Sequence, residues 1–565
     1  MTRKLIECVP NFSEGRDMQV IKQITDEVEG VEGVRLLDVD PGAATNRTVV
    51  TFVGEPEKVM EAAFRAVRKA SEVIDMRHHH GEHPRMGATD VCPLVPIAGV
   101  TMEECVEYAR TLARRIGEEL GIPVFCYESA AYTPERRNLA VCRSGEYEGL
   151  AKRFAEGVRP DFGPAVIDDY TARTGATAVG ARDFLVAINY NLNTTSTRRA
   201  NSIAFDVREK GRKKREGDPI TGKVVKDADG NVVWIPGTLK GCKAIGWYIE
   251  EYGIAQVSMN VTNINVTPVH VAFDEVCEKA HARGIRVTGS EIVGLIPKKV
   301  LIDAGKHYLA KQNRSCGIPE EDIVKIAVKS MGLDDLKPFN PREKVIEYIL
   351  EDSDKTPKLV DLTVRGFAEE TSRESPAPGG GSISAYMGSL GAALGAMVAN
   401  LSSHKRGWDD QCPKFSQWAE KGQELMYELL HLVDEDTAAF NRIMDAMSLP
   451  KKTDAEKEAR AAAMQEATLY ATEVPLRTMK ASFKVFELVE AMASEGNPNS
   501  VSDAGVGALA ARSAVLGAFL NVKINAAGLK DREKAGALVT EAAEIAAEAE
   551  VQEKKVLEIV NSKIN

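Results

Sequence analysis

No two cysteines in this chain stand as CxxC, and the nine it has are scattered without an even framework. That excludes a zinc knuckle or a disulfide scaffold and leads us to expect reduced thiols in a cytosolic protein. A basic excess is also missing. The formal charge is −11, so a run of phosphates finds nothing to neutralise it and no nucleic-acid partner is expected. The start, MTRKLIECVPNFSEG, is charged but has no apolar core segment, so no signal peptide is expected. The 20 uncharged residues Ser382 to Leu401 are long enough for a membrane span and carry a Gly391/Gly395 pair. They are mostly Gly, Ser and Ala, however, with few of the Leu, Ile and Phe residues that drive insertion. A closely packed bundle helix is expected there, and no membrane partner. Neither a GxGxxG fingerprint nor a P-loop is present, so no nicotinamide or nucleotide site is expected.

What is there divides the chain. At 565 residues it is too long for one hydrophobic core. Residues 1 to about 350 alternate β-branched runs with helical periods. Val34–Val39, Thr48–Val53 and Val91–Ile97 read as strands, and Glu57–Val73 and Met102–Leu120 as amphipathic helices. A second series follows: Phe184–Tyr190, Ile245–Tyr248, Ala255–Val261 and Gly284–Val287. The pattern predicts two successive α/β subdomains with mixed sheets, 1–183 and 184–350, breaking near the small-residue run Gly175–Gly180. Within the second, the basic run 212–215 precedes a predicted hairpin around Asp229-Gly230, in an insert spanning 212–236. Residues 351–357 read as a polar linker. Residues 358–565, rich in Ala, Glu, Leu and Lys at helical spacing, read as an all-α bundle.

Four of the nine histidines fall in His78-His-His-Gly-Glu-His83. A zinc site wants ligands spaced on one face, as in HExxH. Here consecutive histidines diverge and Gly81 and Pro84 break any helix, so a metal is not expected. A surface run without a role and a proton shuttle both remain open. We favour general acid–base work by His83, whose backbone Pro84 restricts and whose pKa Glu82 and Arg85 would tune. Asn11 lies in a turn after the first strand, and Asp40 ends the strand Leu36–Asp40. Strand ends are where an open α/β sheet builds its site, and Asp40 would orient a protonated His83. Arg85 would hold a substrate carboxylate with its fork.

The runs CVPNFSEG (8–15), LLDVD (36–40), TNRTV (45–49) and GEHPRMG (81–87) resemble the glutamate formiminotransferase family. So do PDFGP (160–164), GAT (175–177) and IGWY (245–248). The likeness runs through about residues 1–350. It implies transfer of a formimino group from N-formimino-L-glutamate to N5 of tetrahydrofolate, with His83 as the proton-moving histidine. The family's folate-binding segment falls on Gly163, Pro164, Ala165, Val166, Thr174 and Gly175, where this chain has a few extra residues.

The helical part has its own anomaly. Leu429, Val433, Asp436, Phe440, Ile443 and Met447 are spaced as one apolar helix face, with a carboxylate in it. A core-facing carboxylate costs free energy unless paired, and its pKa should rise. A structural bridge to a neighbouring helix and a catalytic acid–base are both open. Pro376-Ala-Pro-Gly379-Gly380-Gly381-Ser382 is expected to start a helix and present backbone N–H groups. These runs, with LVDEDTAAF (432–440), LPK (449–451), Ser502-Asp503 and NVKIN (521–525), resemble formiminotetrahydrofolate cyclodeaminase over about 358–550. The resemblance makes Asp436 the catalytic aspartate and gives Lys451 and Asp503 folate-positioning roles.

The product of the first reaction is the substrate of the second, so the whole chain resembles the bifunctional formiminotransferase-cyclodeaminase family. Tetrahydrofolate, in polyglutamylated form, is then a co-substrate, no metal is used, and a homo-oligomer, an octameric ring, is implied. Histidine breakdown and one-carbon supply are the implied setting. Two rivals stay open: a formylglutamate-dependent transferase with a methenyltetrahydrofolate cyclohydrolase, and a non-catalytic folate-binding scaffold.

Overall fold

In a computed structural model of the chain, residues 4–42, 46–80, 84–217, 221–353, 357–375 and 377–564 are described. Packing groups the chain into two compact units: Met1–Pro297 with Arg342–Leu350, and Lys298–Pro341 with Glu351–Asn565. This division differs from the one drawn on the sequence. The helices Lys299–Lys311 and Glu320–Met331 belong to the second unit, where the turn after the first is held by Ser315 N–H to His404 Nε2 and Cys316 N–H to Ser416 Oγ.

Among the described residues the first unit carries two larger sheets and a two-stranded ribbon. One is built from β1 (Leu5–Cys8), β2 (Asn11–Phe12), β3 (Val34–Gly42), β4 (Arg47–Gly54), β5 (Thr89–Ala98), β6 (Val124–Glu128) and β7 (Thr177–Ala181). β7 lies parallel between β5 and β6, and the remaining pairings are antiparallel. The helices Met18–Glu29, Pro56–Val73 and Met102–Glu119 bury their apolar stripes with one face of this sheet, in a core of Ile6, Cys8, Phe52, Leu94, Leu112 and Ile116. Fully burying such side chains contributes roughly 1.5–3 kcal/mol each. The second sheet joins β8 (Val186–Leu192), β11 (Cys242–Ile249), β12 (Ile254–Val261) and β13 (Val287–Val293) in the order β11-β12-β8-β13. It is antiparallel throughout rather than mixed.

Three boundaries move. Gly175–Gly180 is mostly β7, so the break expected near it falls in the irregular residues 182–185 that follow; within β7, Gly180 lets the backbone pass under Tyr127, since a Cβ there would lie 2.6 Å from the ring. The last strand begins at Val287, because Gly284 takes a left-handed turn at φ +69. Residues up to Ser353 continue the helix Ile346–Ser353 into the expected linker. The hairpin is present: Lys226 bridges Val232, Asp227 N–H donates to Asn231 O, and Gly230 at φ +84 turns the chain, while β9 (Arg212–Lys213) pairs with β10 (Trp234–Ile235) beside it.

The second unit is mostly long helices: Gly380–Ser403, Cys412–Ser448, Asp454–Glu495, Val501–Ala526 and Arg532–Ile564. Gly391 and Gly395 serve close packing, as expected: a Cβ on Gly391 would meet Gly507 O at 2.9 Å and one on Gly395 would meet Leu488 at 2.5 Å. The predicted stripe on Cys412–Ser448 is buried only at its start. Leu429 and Val433 are 0% exposed, but Phe440 is 37% and Met447 48% exposed. The stripe that stays inside lies beside it, at Leu425, Leu432, Ala439 and Ala446.

Candidate active sites

His83, Gly81 and Glu82 lie outside the described residues, and so does Thr45. Their flanks are firmly built. Asn46, in a left-handed turn at φ +46, accepts the Gly15 N–H on Oδ1 at 3.0 Å and donates from Nδ2 to His80 O at 3.0 Å. Its carbonyl receives His79 Nε2 at 2.8 Å. Ser13 Oγ donates to Gly87 O at 2.7 Å. The two loops on either side of residues 81–83 are therefore tied to the start of the sheet.

Arg85 does something other than what its sequence context promised. Nη1 and Nη2 grip Glu148 at 2.9 and 2.6 Å, Nη1 also reaches Glu146 at 3.2 Å, and Nε donates to His79 Nδ1 at 3.3 Å. A fifth bond runs from Nη2 to His79 O. A guanidinium has five N–H donors, so none is left for a substrate carboxylate. Arg85 instead positions two carboxylates and one ring. Because Nδ1 accepts from Arg85, His79 carries its proton on Nε2, facing Asn46. Burial, with Arg85 adding to it, holds the His79 pKa below its ordinary value. His79 is thus a neutral structural histidine. A cleft of about 480 Å³ opens beside it, lined by His80, Arg85, Gly145, Glu146 and Glu148.

The other front residues scatter around this centre. Asn11 is buried in β2 and turns Nδ2 back to Val9 O at 3.1 Å. Asp40 is exposed near the end of β3, paired with Val49. Thr174 and Gly175 join the loop after Arg85: Ala88 N–H donates to Thr174 O at 2.7 Å, and a Cβ on Gly175 (φ +66) would lie 2.3 Å from Met86 O. Gly163, at φ +81, presses on Ile122 O, Pro164 and Ala165 are half-buried, and Val166 is exposed.

Asp90, Glu146 and Glu148 escaped the sequence reading. The two glutamates sit in a turn with no periodic signal, Glu146 at φ +55. Asp90 reads as part of a strand, yet its side chain is 0% exposed and bonds Arg143 Nε at 3.1 Å and Met86 N–H at 3.1 Å. Burial raises its pKa, against the pull of Arg143 and Arg47. Asp90→Ala strands buried cationic partners and is expected to destabilise the first unit by about 3–5 kcal/mol, read as a shifted urea midpoint.

In the helical unit, Asp436 sits at the glycine-rich start of Gly380–Ser403. Ser382 Oγ donates to Asp436 Oδ2 at 2.9 Å, and the Ser382 backbone N–H also reaches the carboxylate. The N-cap, Gly379, supplies no side-chain cap, so this carboxylate meets the positive helix end. Gly381 makes room: a Cβ there would lie 2.0 Å from Asp436 Oδ1. Gly380 is overlooked by Asn521, whose Nδ2 would be 3.5 Å from a Cβ. Burial raises the Asp436 pKa, more than Ser382 lowers it. Its neighbours face elsewhere: Asp434 Oδ1 accepts from Leu359 N–H at 2.7 Å, and Glu435 pairs with Arg477 and Tyr470. Gly381→Ala should push the Asp436 carboxylate off its Ser382 donors, read as a lowered urea midpoint.

Lys451 and Asp503 do not join Asp436. Twelve helical residues separate Asp436 from Ser448, about 18 Å along the axis, and Lys451 lies beyond the helix end. Asp503 opens Val501–Ala526, about 27 Å from Asn521 along that axis. Sequence proximity to motifs gave no measure of where an antiparallel bundle puts its ends.

Against known proteins, residues 5–182 match the family model for the formiminotransferase domain, N-terminal subdomain, and 187–351 that for the formiminotransferase domain. Residues 363–544 match the model for formiminotransferase-cyclodeaminase. The formimidoyltransferase-cyclodeaminase of Gallus gallus is 43% identical over 532 residues, 94% of each chain. The chain belongs to the formimidoyltransferase-cyclodeaminase family. The two parts of this bifunctional family also have separate relatives. The glutamate formimidoyltransferase of Streptococcus pyogenes is 44% identical over 54% of this chain and 93% of its own. The methenyltetrahydrofolate cyclohydrolase of Methylorubrum extorquens is 40% identical over 36% of this chain and 98% of its own. In the family's bifunctional frame, the Arg85 cleft falls in the transferase segment and the Asp436 niche in the cyclodeaminase segment.

Proposed function

We propose that this chain carries out two consecutive one-carbon steps on tetrahydrofolate. Residues 1–350 transfer the formimino group of N-formimino-L-glutamate to N5 of tetrahydrofolate, releasing L-glutamate. Residues 358–565 then close N10 onto the formimino carbon and release ammonia, giving 5,10-methenyltetrahydrofolate. The observation that carries this reading is the likeness to bifunctional relatives over 94% of both chains.

In the first step a proton leaves the attacking N5 and reaches the departing glutamate nitrogen. His83 is assigned that transfer, with Asp40 steadying its charged form. Glu146 and Glu148, fixed by Arg85 at the lip of the cleft, have lone pairs to accept the N–H groups of the amidine. In the second step Asp436 takes the N10 proton and returns one to the leaving amine. Its raised pKa suits a group that must be base and then acid near neutrality. The start of Gly380–Ser403 supplies backbone N–H groups for a polar ring edge. N-formimino-L-glutamate as donor would place the chain in histidine breakdown. Exposed Leu520 and Ile524 on Val501–Ala526 suit a homo-oligomer, which light scattering would reveal.

The cyclohydrolase relative gives a second reading for the helical part, hydrolysis of methenyltetrahydrofolate. Supplying purified 5-formiminotetrahydrofolate and, in a separate reaction, 5,10-methenyltetrahydrofolate separates them. Stoichiometric ammonia with methenyl product supports cyclodeaminase; no ammonia together with methenyl-folate hydrolysis supports the second reading.

A further inference from the structure

The Arg85 cleft faces its contents with carboxylates. Glu146 and Glu148 line it together with His80, Arg85 and Gly145, in a volume of about 480 Å³. Arg85 binds both, through Nη1 to Glu146 at 3.2 Å and through Nη1 and Nη2 to Glu148 at 2.9 and 2.6 Å. That shared guanidinium sets the two carboxylates side by side. Their side chains remain 43% and 63% exposed, whereas that of Arg85 is 9% exposed. A molecule in the cleft can therefore reach both glutamates.

The turn that carries them holds them there. Tyr147, between the two, donates its N–H to Arg85 O at 2.9 Å and its hydroxyl to Ala172 O at 2.5 Å. Gly145 and Glu146 both adopt left-handed backbone, at φ +76 and +55. Glycine does this freely, but a glutamate rarely does, and such outliers gather at functional sites. Glu148 gives both oxygens to Arg85, and that bond keeps its carboxyl below the usual carboxylate range. Glu146 gives Arg85 only Oε2, and among the described residues no donor reaches its Oε1.

Such a wall separates two kinds of planar group. An amidinium or guanidinium is cationic at neutral pH and turns N–H donors outward. A formyl or carbamoyl group of similar shape is neutral and presents a carbonyl oxygen, another acceptor, where a donor is needed. The first gains charge-assisted hydrogen bonds, and the second leaves acceptor facing acceptor. We propose that Glu146 and Glu148 make the cleft selective for planar cations of the amidinium and guanidinium class carried on an amino-acid nitrogen, rejecting the neutral formyl or carbamoyl group. This rests on the transferase reading above for the donor's place in the cleft, and it names the residues that choose between donors.

The test uses the full chain without folate and two unreactive isosteres. N-amidino-L-glutamate carries a guanidinium, and N-carbamoyl-L-glutamate carries a urea in its place. Calorimetry should show the first binding about tenfold more tightly or better, as a hydrogen bond to a charged group predicts. Glu146→Gln, which removes the carboxylate in excess over Arg85, should bring the two compounds within about twofold of each other. Glu148→Gln decides the matter if Glu146→Gln fails to fold. Equal binding of the two compounds to the wild type, binding of neither, or a preference that survives in the folded variant overturns the proposal. Transfer from N-formimino-L-glutamate to tetrahydrofolate is followed in the same preparations. The preference without any transfer counts against the transferase reading alone, and transfer without the preference counts against charge selection alone.

Discussion

Asp436→Asn is expected to lower ammonia release from 5-formiminotetrahydrofolate by about 10²- to 10⁴-fold, the usual value of a positioned acid–base group. Formimino transfer in the same preparation should be unchanged, because Asp436 and the Arg85 cleft belong to different compact units. Stability provides the control. A carboxylate that only capped the Gly380–Ser403 helix would cost stability when replaced. Burial, however, raises the Asp436 pKa, so the folded chain holds the proton more tightly than the unfolded chain. The stability this contributes is fully present below the unfolded value of about 3.9 and fades as pH rises through the raised folded value. Asparagine does not titrate. The variant should therefore gain on the wild type in denaturant midpoint as pH rises from about 4 to 7. A less active, relatively more stable variant at neutral pH is the pattern of a group kept for chemistry.

His83→Ala is expected to do the reverse. Transfer from N-formimino-L-glutamate should fall by about 10²- to 10⁴-fold, with cyclisation of supplied 5-formiminotetrahydrofolate intact. His79→Ala is the informative companion. His79 is committed through Nδ1 to Arg85 and through Nε2 to the Asn46 carbonyl. Its loss should lower the denaturant midpoint, and turnover only through that. If His79 and His83 exchanged these outcomes, the shuttle would have been placed on the wrong histidine. Mixing the His83→Ala and Asp436→Asn chains should restore overall flux if intermediate exchanges through solution.

Much of this was legible in the sequence because it rests on local pattern. Alternating runs such as Thr48–Val53 and the amphipathic Met102–Glu119 fell where propensity and periodicity put them. The glycine run at 379–381 opened a helix, and the one carboxylate on an apolar stripe met that helix end. What failed depends on contacts distant in sequence. Arg85 read as a free fork because its partners, Glu146 and Glu148, lie some 60 residues away in a turn without periodicity. The strand Thr177–Ala181 went unread because small residues score poorly as strand, yet the site under Tyr127 admits nothing larger than Gly180. Lys451 and Asp503 were drawn to Asp436 by their motifs, whereas helix length carries both away. Phe440 and Met447 continue the period of Leu429 and Val433 but lie exposed, because the packed face towards the helix end is the one carrying Ala439 and Ala446.

The most direct test of two linked chemistries on one chain follows ammonia and the absorbance of methenyl-folate together, with N-formimino-L-glutamate and tetrahydrofolate as the only substrates. The account predicts that both rise in equal amounts with the wild type. Methenyl-folate and ammonia should both be absent with His83→Ala, and 5-formiminotetrahydrofolate should accumulate without either with Asp436→Asn. Methenyl-folate formed without ammonia, or full flux through both single variants, would contradict it.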